Sequence, residues 1–128
     1  MKVRECFLQA VSMVGPDDDG RAAWVAMNKK NAPWAAVCAE EGRLLGLLRG
    51  DELSVRVRVP EVFLTAGELA AEAVASVRAL RISPDEDLDE AALRMEVAGA
   101  DAALVESSGR PPGVLELERA RSKLSGPL

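Results

Sequence analysis

Histidine and tyrosine are absent from the 128 residues, and cysteine occurs twice. Without histidine, the commonest general acid–base near neutral pH is missing, and no zinc-type ligand set can be assembled from spacing. Cys6 and Cys38 sit in unrelated contexts beside apolar residues. They are expected to be buried, reduced thiols rather than a disulfide. A glycine-rich phosphate loop and a nucleophile elbow are also lacking, so the chain is not expected to be an enzyme and no metal is expected. The longest apolar runs, such as Leu44–Leu48, fall far below the roughly 20 residues of a membrane helix, so no membrane role is expected. Positive charge is scattered rather than massed: 16 Lys and Arg stand against 21 Asp and Glu, a net −5 with no basic patch. Such a surface repels nucleic-acid phosphates on average. The first residues, MKVRECFLQ, are charged and polar where a signal peptide needs an apolar segment, so a cytoplasmic location is expected.

The chain does carry strong local periodicity. Val3, Cys6 and Phe7 share a face if Lys2–Gln9 makes a helical turn. Ala10–Val14 ends β-branched and is stopped by Gly15-Pro16. Asp17–Asp19 offers cap chemistry for a helix with Gly20, Ala23, Trp24 and Met27 on one face, ending near Lys29–Asn31. Trp34–Cys38 and Leu44–Leu48 read as a hairpin with Gly42 in its turn, and Gly50-Asp51 opens another helix. Ser54–Leu64 is open to two readings, a half-buried strand from its period-two valines or a short helix continuing from Asp51. Thr65 and Glu68 suggest a capping box for a helix reaching at least Ala73, and Ala79–Ile82 a strand closed by Ser83-Pro84. Asp87 and Glu90 have the same capping pattern ahead of Leu88, Ala91, Ala92 and Met95. Ala102–Val105 and Pro112–Leu115 are strands around ESSGR. The prolines at the start of the second should lie at an edge or outside the pairing. Leu117, Ala120, Arg121 and Leu124 suggest a last helix.

These elements occur twice. Pro16 aligns with Pro84, Met27 with Met95 and Val37 with Val105, each 68 residues apart; Gly42 with Gly109 and Gly46 with Gly113 are 67 apart. The one-residue difference falls in a hairpin turn, where it costs little. Each half is strand, helix, strand, strand, helix. The class is α+β, with residues 1–64 as the first repeat and 65–128 as the second, packed by pseudo-twofold symmetry into one compact module.

Ser83-Pro84-Asp85, the Leu88 to Met95 stripe, Gly99-Ala100-Asp101 before Leu104-Val105, Gly109 and Gly113-Val114-Leu115 resemble the cystathionine-β-synthase (CBS) domain. Gly15-Pro16-Asp17, Met27, Ala36-Val37, Gly42 to Leu48 and Leu53 supply a first copy. The resemblance spans nearly the whole chain as a tandem pair, or Bateman module. It implies a stand-alone module with clefts for an adenosine-containing ligand (AMP, ADP, ATP or S-adenosylmethionine) and no required cofactor. It also implies a homodimer that regulates another protein. The alternative is a dimerisation or interaction scaffold whose nucleotide sites have degenerated.

In that family a Gly-x-x-Ser/Thr-x-x-Asp pattern sets a hydroxyl at the ligand's phosphate and an aspartate at its ribose. This chain departs from it. Arg49 takes the hydroxyl position of the first copy and Glu52 the aspartate position, with Asp51 just before; Glu116 and Arg119 take them in the second. Guanidinium binds phosphate bidentately and a glutamate can hold a ribose diol, whereas Glu116 would repel a phosphate. Trp34, with Ala35 beside it, could stack on adenine, or pack in the core or at a dimer contact; Ala102 holds the matching place in the second cleft. Ser12 and Ser83 precede the turns where family members touch the ligand, and serve equally well as ordinary turn residues. The bland alternatives are a solvated helix start for Arg49, Asp51 and Glu52, and a surface pair for Glu116 and Arg119.

Overall fold

The computed structural model describes residues 1–56, 64–73, 80–107 and 109–126. A single 3-10 turn, Val3–Glu5, leads into β1 (Gln9–Val14), α1 (Gly20–Lys30), β2 (Trp34–Cys38), β3 (Leu44–Arg49) and α2 (Gly50–Arg56). The second series is α3 (Ala66–Ala73), β4 (Arg81–Ile82), α4 (Leu88–Ala98), β5 (Ala102–Ser107), β6 (Arg110–Glu116) and α5 (Leu117–Ser125). Local chemistry sets the boundaries. Asp19 caps α1 by accepting from the Arg21 amide at 2.9 Å, and Asn31 ends it in the left-handed region at φ 52°. Gly99 ends α4 in the same way at φ 69°. Both placements satisfy carbonyls that a helix end leaves open.

Among the described residues six strands form one curled sheet in the order β3-β2-β1-β6-β5-β4. Each half contributes a parallel pair, β1 with β2 and β4 with β5, and an antiparallel hairpin; β1 and β6 join the halves in antiparallel register, Gln9 opposite Val114. The buried apolar side chains among the described residues fall into three cores. Val14, Ala23, Met27, Val37 and Leu69 belong to that of the first half. Ile82, Leu88, Met95, Val105 and Leu115 belong to that of the second. Val11, Trp34, Ala36, Leu47, Ala102, Leu104 and Val114 fill the space between the halves.

The pseudo-twofold relation extends beyond the repeated elements to how each core is covered. The Leu88 amide donates to Met1 O at 2.8 Å and the Gly20 amide to Leu64 O at 3.0 Å. Val3 N reaches Glu86 O at 2.9 Å, and Ala66 N reaches Asp18 O at 2.7 Å. Arg4 N reaches Pro84 O at 3.0 Å, and Gly67 N reaches Pro16 O at 2.8 Å. Residues 1–8 therefore lie on the second half and α3 on the first, so the halves exchange covers. Three glycines make room for this, Gly67 among them, since a Cβ there would stand 2.9 Å from Pro16 O. A Cβ on Gly113 would stand 2.8 Å from Leu8 Cβ, and one on Gly46 would stand 3.0 Å from Ala70 Cβ.

Several expectations change at this level. Val3 and Cys6 are buried, but Phe7 is 60% exposed, because the 3-10 turn ends at Glu5 and Cys6 is already extended, which takes residue 7 off the shared face. Asp87 precedes α4 without a side-chain capping bond; its carboxylate instead meets Lys2 Nζ at 3.1 Å. The Thr65–Glu68 pair does form, with the Glu68 amide donating to Thr65 Oγ1 at 3.2 Å. Ser54, Val55 and Arg56 continue α2, so over these residues the helical reading holds and the strand reading does not. Residues 57–63 and 74–79, which carry the rest of both stretches, lie outside the described residues. Pro111 and Pro112 stand within β6, beyond its short ladder to β1 and beside a register shift against β5, where no proline amide is needed.

Candidate functional site

Alternation along the strands sorts the candidate side chains onto two faces. Trp34 belongs to the core between the halves and Ala35 to that of the first half. Trp34 pairs across the hairpin with Arg49, and Ala102 with Glu116. These pairs hold corresponding places in the two copies. Ser12 pairs with Ala35 in register and is buried with it on the first half's helix side, away from Trp34.

At the first copy, Trp34 is 3% exposed and the Arg49 guanidinium lies over its ring, 5.3 Å from the centroid. The indole thus holds a half-buried cation where β3 passes into α2, a geometry that adds electrostatic attraction to packing. The Gly50 amide donates to Pro33 O at 2.8 Å and fixes that passage. Asp51 and Glu52 follow, both exposed, and Asp51 Oδ1 accepts from the Glu52 amide at 2.9 Å. A cation at a strand end with two accessible carboxylates beside it can meet an anion and a pair of hydroxyls together.

The second copy is built with opposite charge. Glu116, half-buried, accepts from Gln9 Nε2 at 2.9 Å, a bond made available only because β1 lies against β6. Arg119 is exposed and stands over the Phe7 ring at 4.7 Å. Between residues 6–7 and α5 runs an open groove of ≈ 850 Å³ whose lining includes Phe7, Glu116, Glu118, Arg119, Ser122 and Lys123. Ser83 is exposed and shapes the turn before α4: its Oγ accepts from the Asp85 amide at 3.2 Å, and its own amide donates to Glu86 Oε2 at 2.8 Å. Gly15 holds the matching place, its amide bonded to Asp18 Oδ2 at 2.8 Å.

One cluster had no counterpart in the sequence reading. Arg81 bonds Glu106 at 2.8 Å and also faces Cys38 from the other half. No local pattern links residues so far apart. Both cysteines are free, Cys6 buried and Cys38 half-buried. Burial pushes the Cys38 thiol up, an effect the positive charge of Arg81 partly offsets. Cys38 is therefore expected to react with a thiol reagent at about pH 8.5 more slowly than free cysteine, which is near half-ionised there. The linkage has one sign: the unfolded thiol ionises from about pH 8.5 upward while the folded one holds its proton. Stability should fall above that pH, and less so in Cys38→Ala; equal alkaline slopes for the two proteins in denaturant titrations would count against it.

Among the described residues no helix is long and apolar enough to cross a membrane, and no group of three potential ligand side chains could hold a metal ion. No family model matches the sequence, and no curated protein matches it. Solved structures are similar at the level of fold. The CBS domain of a bacterial CNNM/CorC family Mg²⁺ transporter, in complex with ATP, is 14% identical, with 100% of this chain and 89% of that one covered at a TM-score of 0.64. A CBS domain-containing protein from Kribbella flavida is 16% identical over 100% of both chains at 0.60. The CBS domain of a membrane protein from Sphaerobacter thermophilus is 17% identical, covering 95% and 86%, at 0.63.

Proposed function

We propose that this chain, which has the fold of the CBS-domain proteins, is a regulatory module that takes an adenosine-containing ligand at its first cleft. The observation that carries the proposal is Arg49. The indole of Trp34 holds its guanidinium where β3 enters α2, next to Asp51 and Glu52. Arg49 would receive the phosphate, and Glu52, with Asp51 beside it, the ribose hydroxyls; Ala35, Ser12 and Ser83 would contribute backbone or turn contacts at most. The ATP complex of the CNNM/CorC CBS domain supports an adenine nucleotide as the ligand class. AMP, ADP, ATP and S-adenosylmethionine are the candidates, and no cofactor is required. Residues 1–64 and 65–128 act as the two repeats of one cytoplasmic, non-catalytic unit. Exposed Leu93 and Val97 on α4 would serve a homodimer, through which ligand state reaches a regulated protein.

The test is a thermal-shift series with AMP, ADP, ATP, S-adenosylmethionine and NAD on the native protein and on Arg49→Ala/Glu52→Ala. A ligand bound to the native state adds about 2.7 kcal/mol of stability at a hundredfold excess over Kd. The expected result is a dose-dependent rise with one adenosine compound that the double variant lacks. A flat series from a dimeric protein would favour the second reading, a non-ligand-binding interaction scaffold. Glu116 already engaged by Gln9, and Arg119 by Phe7, support that reading for the second cleft.

A further inference from the structure

Residues 1–8 reach the second half by crossing over it before β1 begins, and they are fastened lightly. Two side chains are buried, Val3 and Cys6, Leu8 is half-buried against the second core, and three backbone hydrogen bonds join the segment to Pro84, Glu86 and Leu88. Lys2, Arg4, Glu5 and Phe7 are all exposed. The ion pairs Lys2–Asp87 and Arg4–Asp85, at 3.1 and 2.6 Å, lie in solvent, where such pairs hold little. Internal order amounts to one 3-10 turn. The matching cover of the first half, α3, is an eight-residue helix that buries Ala66, Leu69 and Ala70. Segments with few buried contacts and exposed backbone bonds are the ones that open locally.

We propose that residues 1–8 are a strap that lifts from the second half while the rest of the fold stays intact, hinging where Gln9 enters β1 opposite Val114. Lifting has a consequence beyond the core. Cys6 and Phe7 form one wall of the groove along α5, with Glu116, Arg119, Ser122 and Lys123 on the other. An open strap removes that wall and releases Arg119 from the Phe7 ring, so the groove alternates between a walled state and a wider one with the guanidinium off the ring. This device is independent of whichever ligand the first cleft takes.

Cys6 reports the motion, since its thiol is buried while the strap is closed. In a Cys38→Ala background it is the sole thiol, and its labelling by 5,5′-dithiobis(2-nitrobenzoic acid) can be timed in low denaturant beside global unfolding. The expected labelling is on the order of a hundredfold faster than global unfolding allows, and nearly flat with denaturant below the transition. Val3→Ala should speed it roughly tenfold, the loss expected from truncating a buried valine. Leu69→Ala, in the other cover, should leave it unchanged. Labelling that follows the global transition, or that Leu69→Ala speeds as much as Val3→Ala, overturns the strap. If Val3→Ala does not fold, Lys2→Ala/Arg4→Ala makes the same distinction, with about a threefold increase.

Discussion

Trp34→Ala is expected to cost about 3–5 kcal/mol, the range for removing a buried aromatic from a packed core. The reason is its position. Trp34 lies among Val11, Ala36, Leu47, Ala102, Leu104 and Val114, side chains drawn from both halves, so no single half can collapse to refill the space. Its counterpart across the pseudo-twofold axis is Ala102, too small to compensate from the other side. The Arg49 guanidinium would also lose the ring it rests on. At roughly 3–5 °C per kcal/mol for a domain of this size, the midpoint should fall by about 10–25 °C. Trp34→Phe should recover much of the loss by restoring an aromatic of smaller volume. A fall of less than about 1 kcal/mol in Trp34→Ala would show that the indole packs at a surface rather than between the halves.

The second large effect belongs to the two methionines. Met27 and Met95 occupy equivalent places on α1 and α4, and both are fully buried in their own cores. Each change to alanine should cost about 2–5 kcal/mol through lost transfer energy and the cavity left behind. Although the two lie in different cores, each variant should unfold in a single transition with the same denaturant slope as the parent. The seam between the halves requires this. β1 pairs with β6 across it, and Val11, Trp34, Leu47, Leu104 and Val114 from both halves fill one core, so loss of either half strips the other of a strand partner and of buried contacts. Coincident unfolding by far-UV circular dichroism and tryptophan fluorescence is the check. Two separated transitions in Met95→Ala, with Trp24 reporting a first half still folded, would contradict it.

Most elements were legible because their signals are local. Asp19 and Asn31 bracket α1, Gly42 and Gly109 take positive φ in the two hairpins, and the 67–68 residue spacing alone aligns the repeats. Where a cap had two uses, local chemistry misled. Asp87 has the residue type and spacing of a capping box, yet Lys2, 85 residues away, takes its carboxylate. Phe7 failed for a similar reason: a helical period holds only while the helix lasts, and this one is a single turn.

The candidate site divides in the same way. The sequence alone determined which residues stand at the ends of β3 and β6, since spacing from Gly46 and Gly113 places Arg49 and Glu116 there. It also determined that the two positions carry opposite charge. Tertiary structure decided what those charges meet: Trp34 beneath Arg49, Gln9 against Glu116, Phe7 under Arg119, and Arg81 of one half beside Cys38 of the other. Which cover lies on which half was likewise settled only in three dimensions. Secondary structure is written by hydrogen bonds and side chains a few residues apart, so it leaves a period in the sequence. A strap, a β1–β6 seam and a cation over a ring are chosen by the free energy of burying surfaces that meet only after the chain has folded, and such meetings leave no local pattern to read.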